Sequence, residues 1–310
     1  MGRGNLRMDQ GDFTAARDLF KELAAQSRGK PAASGALQAW AAAEIALGNI
    51  KAVDSIIKRL TKEHGEDPNA AINVHMNVAN KLIGDRQFSQ ADQRLDRVIE
   101  EYAGLPQTAW VMHAKAQSAL AQRRFGVATD IFDRIKKEFS GNLTAVIDAD
   151  LGMADLVRTQ GNADEALAMY QEVANKYPKY SQAIRALQAM ADIYGEKRLP
   201  AQQQKAYERL IEEHAGDRGT LLNARLALAN LYKARHRFPE ALEQYKLIYE
   251  NHPTADQAAW AKTSAARIYF EIGQEKLAET LLTELLAAFP ADHEAAAGAK
   301  QFLDEIYQRD

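Results

Sequence analysis

One pattern returns eight times along this chain. "GNADEALAMYQEVANKYPKY", which opens at Gly161, reappears as "HRFPEALEQYKLIYENHPTA" from His236 and as "GQEKLAETLLTELLAAFPAD" from Gly273. Taking the opening residue of each such stretch as an anchor gives Gly11, Gly48, Arg86, Arg123, Gly161, Arg198, His236 and Gly273. The intervals are 37, 38, 37, 38, 37, 38 and 37 residues. A near-constant interval of this size marks a chain built from stacked supersecondary units, each unable to bury its apolar side alone.

The columns agree as well as the spacing. Five residues after each anchor stand Ala16, Val53, Ala91, Ala128, Ala166, Gln203, Ala241 and Ala278. Nine after come Phe20, Ile57, Leu95, Phe132, Tyr170, Tyr207, Tyr245 and Leu282, and twelve after come Leu23, Leu60, Val98, Ile135, Val173, Leu210, Ile248 and Leu285. Steps of four and three put these positions on one helical stripe, so each anchor precedes a helix. Another helix ends just before it. Seven residues ahead of the anchor, Ala41, Ala79, Ala116, Ala154, Ala191, Ala229 and Ala266 form an unbroken alanine column. Such a column predicts close helix–helix approach with no room for a larger side chain. Prolines punctuate the same frame. Pro31, Pro68, Pro106, Pro178, Pro253 and Pro290 fall between a second helix and the next first helix; Pro200 and Pro239 fall in the first turn of a second helix, where a missing N–H is harmless.

The small residue before the anchor, the alanine and aromatic after it and the closing proline resemble the tetratricopeptide repeat (TPR). The resemblance covers nearly the whole chain. It implies an all-α, right-handed superhelical solenoid of about eight helix-turn-helix repeats, forming a single array over residues 1–310 with a C-terminal capping helix at 291–310. The family's aromatic four before the anchor survives only as Tyr194, Tyr232 and Tyr269, and the period exceeds the common ~34. The longer unit, with "YP" or "HP" closing the second helix, is similar to the variant found in bacterial cell-envelope proteins. That likeness favours a periplasmic or envelope location for a processed chain over a cytoplasmic one.

Composition excludes several functions. The 39 Lys and Arg nearly balance the 42 Asp and Glu, for a net charge of −3. A general nucleic-acid binder needs a basic surface instead. Cysteine is absent, which removes disulfides, thiolate metal sites and a Cys nucleophile. The opening "MGRGNLRMDQGDF" has no apolar core of a signal peptide, and the apolar stretch Pro31 to Ala43 is too short to span a bilayer. No HExxH, GxSxG, Walker loop or strand-borne GxGxxG occurs, and no two of the seven histidines pair at helical spacing. The chain reads as a non-enzyme without cofactor or metal.

In this family the first helix of each repeat lines the concave face. Residues thirteen, ten, six and three before the anchor would then face the groove. Among them Trp110 and Trp260 share one offset, Asn73 and Asn223 share it too, and His113 lies one turn further on. Asn80 and Asn230 match the position where the family places an asparagine against a bound peptide's backbone. The family's clamp for a C-terminal carboxylate needs a Lys four residues earlier, where this chain has Met76 and Leu226. Arg185, Asn223, Asn230, Lys233 and Arg267 instead suit an acidic segment held by charge-assisted hydrogen bonds. The expected role is a scaffold for a protein or peptide partner, without nucleic acid or membrane insertion. A structural subunit that self-associates through its ends, and a regulatory segment of a larger protein, stand as alternatives.

Overall fold

The computed structural model describes residues 1–30, 32–65, 67–290 and 294–308. Pro31, His293 and both ends of the expected 291–310 cap lie outside the described residues. Every regular element among those described is an α-helix.

Helix packing falls into two compact units, Met1–Asn162 and Ala163–Asp310. The first unit contains α1 (Gly2–Asp9), α2 (Phe13–Gln26), α3 (Ala32–Ala46), α4 (Ile50–Glu63), α5 (Asn69–Gly84), α6 (Phe88–Glu101), α7 (Thr108–Ala121), α8 (Phe125–Glu138) and α9 (Leu143–Thr159). The second contains α10 (Ala163–Lys176), α11 (Ser181–Glu196), α12 (Pro200–Glu213), α13 (Arg218–Ala234), α14 (Phe238–Asn251), α15 (Asp256–Glu271), α16 (Glu275–Ala288) and α17 (Glu294–Tyr307). Within each unit every helix packs on the next. First helices also touch the next first helix, as α3 does α5, α5 does α7 and α13 does α15.

What turns the chain at each anchor is a single backbone conformation. All eight anchors have positive φ: Gly11 74°, Gly48 76°, Gly161 95° and Gly273 76°, but also Arg86 58°, Arg123 57°, Arg198 55° and His236 56°. The N–H of each anchor donates to the carbonyl three residues back, as Gly273 does to Phe270 at 3.0 Å and Arg198 to Gly195 at 3.0 Å. The following N–H reaches five back, as Gln274 does to Tyr269 at 2.7 Å and Leu199 to Tyr194 at 2.8 Å. This pair of bonds is the Schellman termination, which satisfies carbonyls that the helix end would leave bare.

The sequence columns become the core. Every alanine seven before an anchor, from Ala41 to Ala266, is at most 1% exposed. On the second helices Phe20, Leu95, Phe132, Tyr170, Tyr245 and Leu282 are all buried, as are Val98, Ile135, Ile248 and Leu285. Each such side chain contributes about 1.5–3 kcal/mol by leaving water. Gln203, the one polar residue of its column, is accommodated locally. Its amide occupies the space over Gly195 of α11, where an added Cβ would stand 2.8 Å from Nε2. Gly152 of α9 plays the same part for an aromatic ring. A Cβ there would lie 2.4 Å from Cε1 and Cζ of the fully buried Phe132.

Two stability outcomes follow from these contacts. Gly152→Ala, or Ala191→Leu in the alanine column, overpacks a dry contact and lowers stability by roughly 1–3 kcal/mol in urea unfolding. Arg198→Gly relieves a left-handed conformation that a Cβ disfavours and raises stability by about 0.5–1 kcal/mol, while Gly273→Ala moves the other way. Equal midpoints for Arg198→Gly and the parent would mean the turn carries no strain.

Candidate functional site

In each unit the candidate residues sit on successive first helices, at positions set by the helical period. Positions thirteen and six before the anchor are seven apart, so they share a line along each helix. At these two positions Asn73 and Asn80 (α5), Trp110 (α7), Arg185 (α11), Asn223 and Asn230 (α13), and Trp260 and Arg267 (α15) are all exposed. His113 and Lys233, ten and three before their anchors, are half-buried.

In the first unit the exposed line carries a large aromatic. Trp110 is 53% exposed, against a third tryptophan, Trp40, that packs partly against the core. His113 lies one turn along α7, its ring 5.6 Å from that of Phe132 and tilted by 59°. It faces the second helix α8 as much as the open surface. Two turns beyond Trp110, a hollow of about 590 Å³ opens between α7 and α9, lined by Gln117, Leu120, Ala121, Asp155, Arg158 and Thr159. Its polar and apolar lining suits an amphipathic side chain.

In the second unit the polar candidates are tied to the scaffold. The Tyr245 hydroxyl donates to Asn230 Oδ1 at 2.6 Å, and Tyr245 itself is completely buried. That bond engages Oδ1 and leaves the N–H₂ of the exposed Asn230 out of it. Gln257 Nε2 donates to Asn223 Oδ1 at 2.9 Å, bridging α13 and α15 one turn before Trp260. Trp260 is 40% exposed. The Arg267 guanidinium lies 4.9 Å over the ring of Phe302, a buried residue of α17. Burial pulls the Lys233 ammonium below its ordinary pKa, and the Arg267 charge adds to this while Glu271 opposes it. Lys233 and Arg267 therefore form one cationic corner. Asn223, Asn230 and Lys233 stand on α13, and Trp260 and Arg267 on α15, which packs against it; Arg185 stands on α11.

Some polar clusters had no counterpart in the sequence reading. Glu44, 5% exposed, accepts from Trp40 Nε1 at 2.9 Å and from Asn49 Nδ2 at 2.8 Å. Asp92 accepts from Ser118 Oγ at 2.8 Å and Arg124 at 3.0 Å, joining α6 to the turn before α8. His75, 5% exposed, has Nδ1 at 3.1 Å from an Arg94 nitrogen, and Arg94 also donates to Asp54 at 2.6 Å. Only the alanine-rich surroundings of His75 hinted at burial. His64, His214 and His252 are the C-caps of α4, α12 and α14.

With helix pairs, left-handed stops and the alanine contact in view, comparison with known proteins is direct. Sequence profiles of the tetratricopeptide repeat match residues 7–73 and 148–180. The chain carries tetratricopeptide repeats. Yeast Tom70 matches its fold with a TM-score of 0.63 at 17% identity, over 96% of this chain and 59% of Tom70. This TPR chain thus spans less than two thirds of Tom70. A tetratricopeptide repeat protein from Parabacteroides merdae ATCC 43184 aligns at 13% identity over 99% of this chain and 96% of its own, with a TM-score of 0.39. YrrB, described as a TPR protein with an unusual peptide-binding site, aligns at 18% identity over 67% and 97%, with a TM-score of 0.42. No curated protein sequence matches the TPR chain. The TPR fold is in general a scaffold for protein interaction. Among the described residues no helix is long and apolar enough to cross a membrane, and no three His, Asp or Glu side chains gather as a metal site would need.

Burial and the adjacent Arg94 guanidinium push the His75 imidazole down from 6.5 to about 4; Asp54 opposes this and Arg97 adds to it. Between those two values the unfolded chain takes up a proton that the folded chain refuses. Stability therefore falls as pH drops through that window. Urea unfolding at neutral pH and at about pH 5 should show a loss of 1–2 kcal/mol that shrinks in His75→Gln. A pH dependence identical in the two proteins would assign the acid sensitivity elsewhere.

Proposed function

We propose that this TPR protein is a non-catalytic scaffold that binds a protein segment along the exposed line of its first helices. The observation that carries the reading is Trp110, a large aromatic on a first helix left 53% in water. A rigid, half-wetted tryptophan is the residue type that most often anchors a partner side chain, because its burial on binding releases much water at small entropic cost. In the second unit Trp260 stands on the α13–α15 pair that also carries the Asn230 amide, suited to a peptide carbonyl, and the Lys233 and Arg267 charges, which suit a carboxylate. Both helices that carry these groups are fixed before any partner arrives, so little ordering cost falls on the scaffold.

Selection of binding peptides from a displayed random library tests this reading. Peptides recovered on the intact protein should lose about tenfold or more in affinity to Trp110→Ala or to Trp260→Ala. Arg267→Ala should weaken acidic peptides in particular, with a smaller deficit at high salt. Recovered peptides that bind all three variants as tightly as the parent would place the interaction on another surface.

A further inference from the structure

A second hollow, of about 480 Å³, lies on the opposite side of α5, between the second helices α4 and α6. Asp54, Ile57, Lys58, Thr61 and Lys62 line it from α4, Arg97 and Glu101 from α6, and His75 from α5. The α4 residues recur at helical spacing, so one stripe of that helix faces the cavity. His75 stands two residues from Asn73, on the buried side of the helix that carries the candidate groove asparagines.

Its chemistry is lopsided. Lys58, Lys62 and Arg97 bring three positive charges to a hollow that holds two carboxylates, Asp54 and Glu101. Arg94 neutralises Asp54 through the 2.6 Å ion pair. The surplus sits on a protein whose net charge is −3. His75 adds a directional group. An arginine can only donate, so Nδ1 of His75 must accept the 3.1 Å bond from Arg94, which puts the ring proton on Nε2. The buried imidazole is thereby held as a neutral N–H donor. Ammonium point charges, a guanidinium fork and a neutral N–H form the donor set that recognises a phosphoryl oxyanion.

We propose that the hollow between α4, α5 and α6 binds a phosphoryl group, with Lys58, Lys62 and Arg97 supplying charge and His75 a fixed hydrogen-bond donor. The group is either free phosphate or a small phosphate ester, or a phosphoryl carried on a protein side chain; the recognising chemistry is common to both. The site is independent of the tryptophan-bearing face, so loss of one leaves the other intact.

Titration of the intact protein with inorganic phosphate, and separately with a phosphoserine peptide and its unphosphorylated twin, tests the site by proton–nitrogen NMR at constant ionic strength. The expected result is saturable shifts confined to α4, α5 and α6, including the His75 Nε2–H, for phosphate and for the phosphopeptide but not its twin. A phosphopeptide that binds at least tenfold tighter than phosphate identifies a modified protein as the source; equal affinities identify a free small molecule. Lys58→Gln, Lys62→Gln and Arg97→Gln change exposed side chains, and the triple variant should fold normally and lose at least tenfold in affinity. Lys51→Gln, on the same helix but outside the hollow, should bind as the parent does. Shifts that never saturate or scatter over surface lysines, or a triple variant with undiminished affinity, overturn the proposal.

Discussion

The left-handed residue that ends every first helix is the constraint on which the rest of the structure depends. At eight anchors the backbone takes positive φ, and two paired hydrogen bonds close the helix behind it. The chain then re-enters a helix within two residues, as Gly273 does ahead of Glu275 and Arg198 ahead of Pro200. A turn that short and stereotyped delivers the second helix antiparallel to the first each time. Glycine occupies four of the anchors and arginine or histidine the other four, so the conformation is imposed by the fold even where the residue type resists it.

Once two helices are delivered side by side, the alanine column decides how near they come. Side chains of one methyl group at Ala79, Ala116, Ala154 and their equivalents let the backbones approach while the second helix inserts Leu95, Phe132 or Tyr245 between neighbours. Space is used so fully that Phe132 requires the missing side chain of Gly152. This division of labour has a functional consequence. The core consumes one flank of each first helix, and Asn73, Asn80 and Trp110 in the first unit, with their counterparts in the second, meet solvent.

The shared offsets of these residues came from the repeat and from the family resemblance, which says which helix face stays open. Trp110 and Trp260 sit at one offset, and any residue there lies a fixed angle from the buried alanine. The finer electrostatics were not legible. Asn230 meets Tyr245 across 15 residues, Asn223 meets Gln257 across 34, and His75 meets Arg94 across 19. Whether such pairs touch depends on rotamers and on small shifts between helices, neither of which leaves a periodic trace. The half-burial of His113 and Lys233 was missed for a related reason: the offset pattern places residues around one helix axis and is blind to the helix beside it.

The sequence by itself determined the helices, their punctuation by proline and the apolar stripes, since these follow from local propensity and from a period that repeats in the covalent chain. Tertiary structure alone decided which polar side chains were already engaged and which still faced water. It tied Asn230 to a buried tyrosine and set Arg267 on an aromatic ring, and it turned His75 inward beside a cluster of cations. The physical reason is one of range. Helix formation is settled within a few residues, whereas the partner of a hydrogen bond between helices is chosen only when distant segments are packed to within a fraction of an ångström.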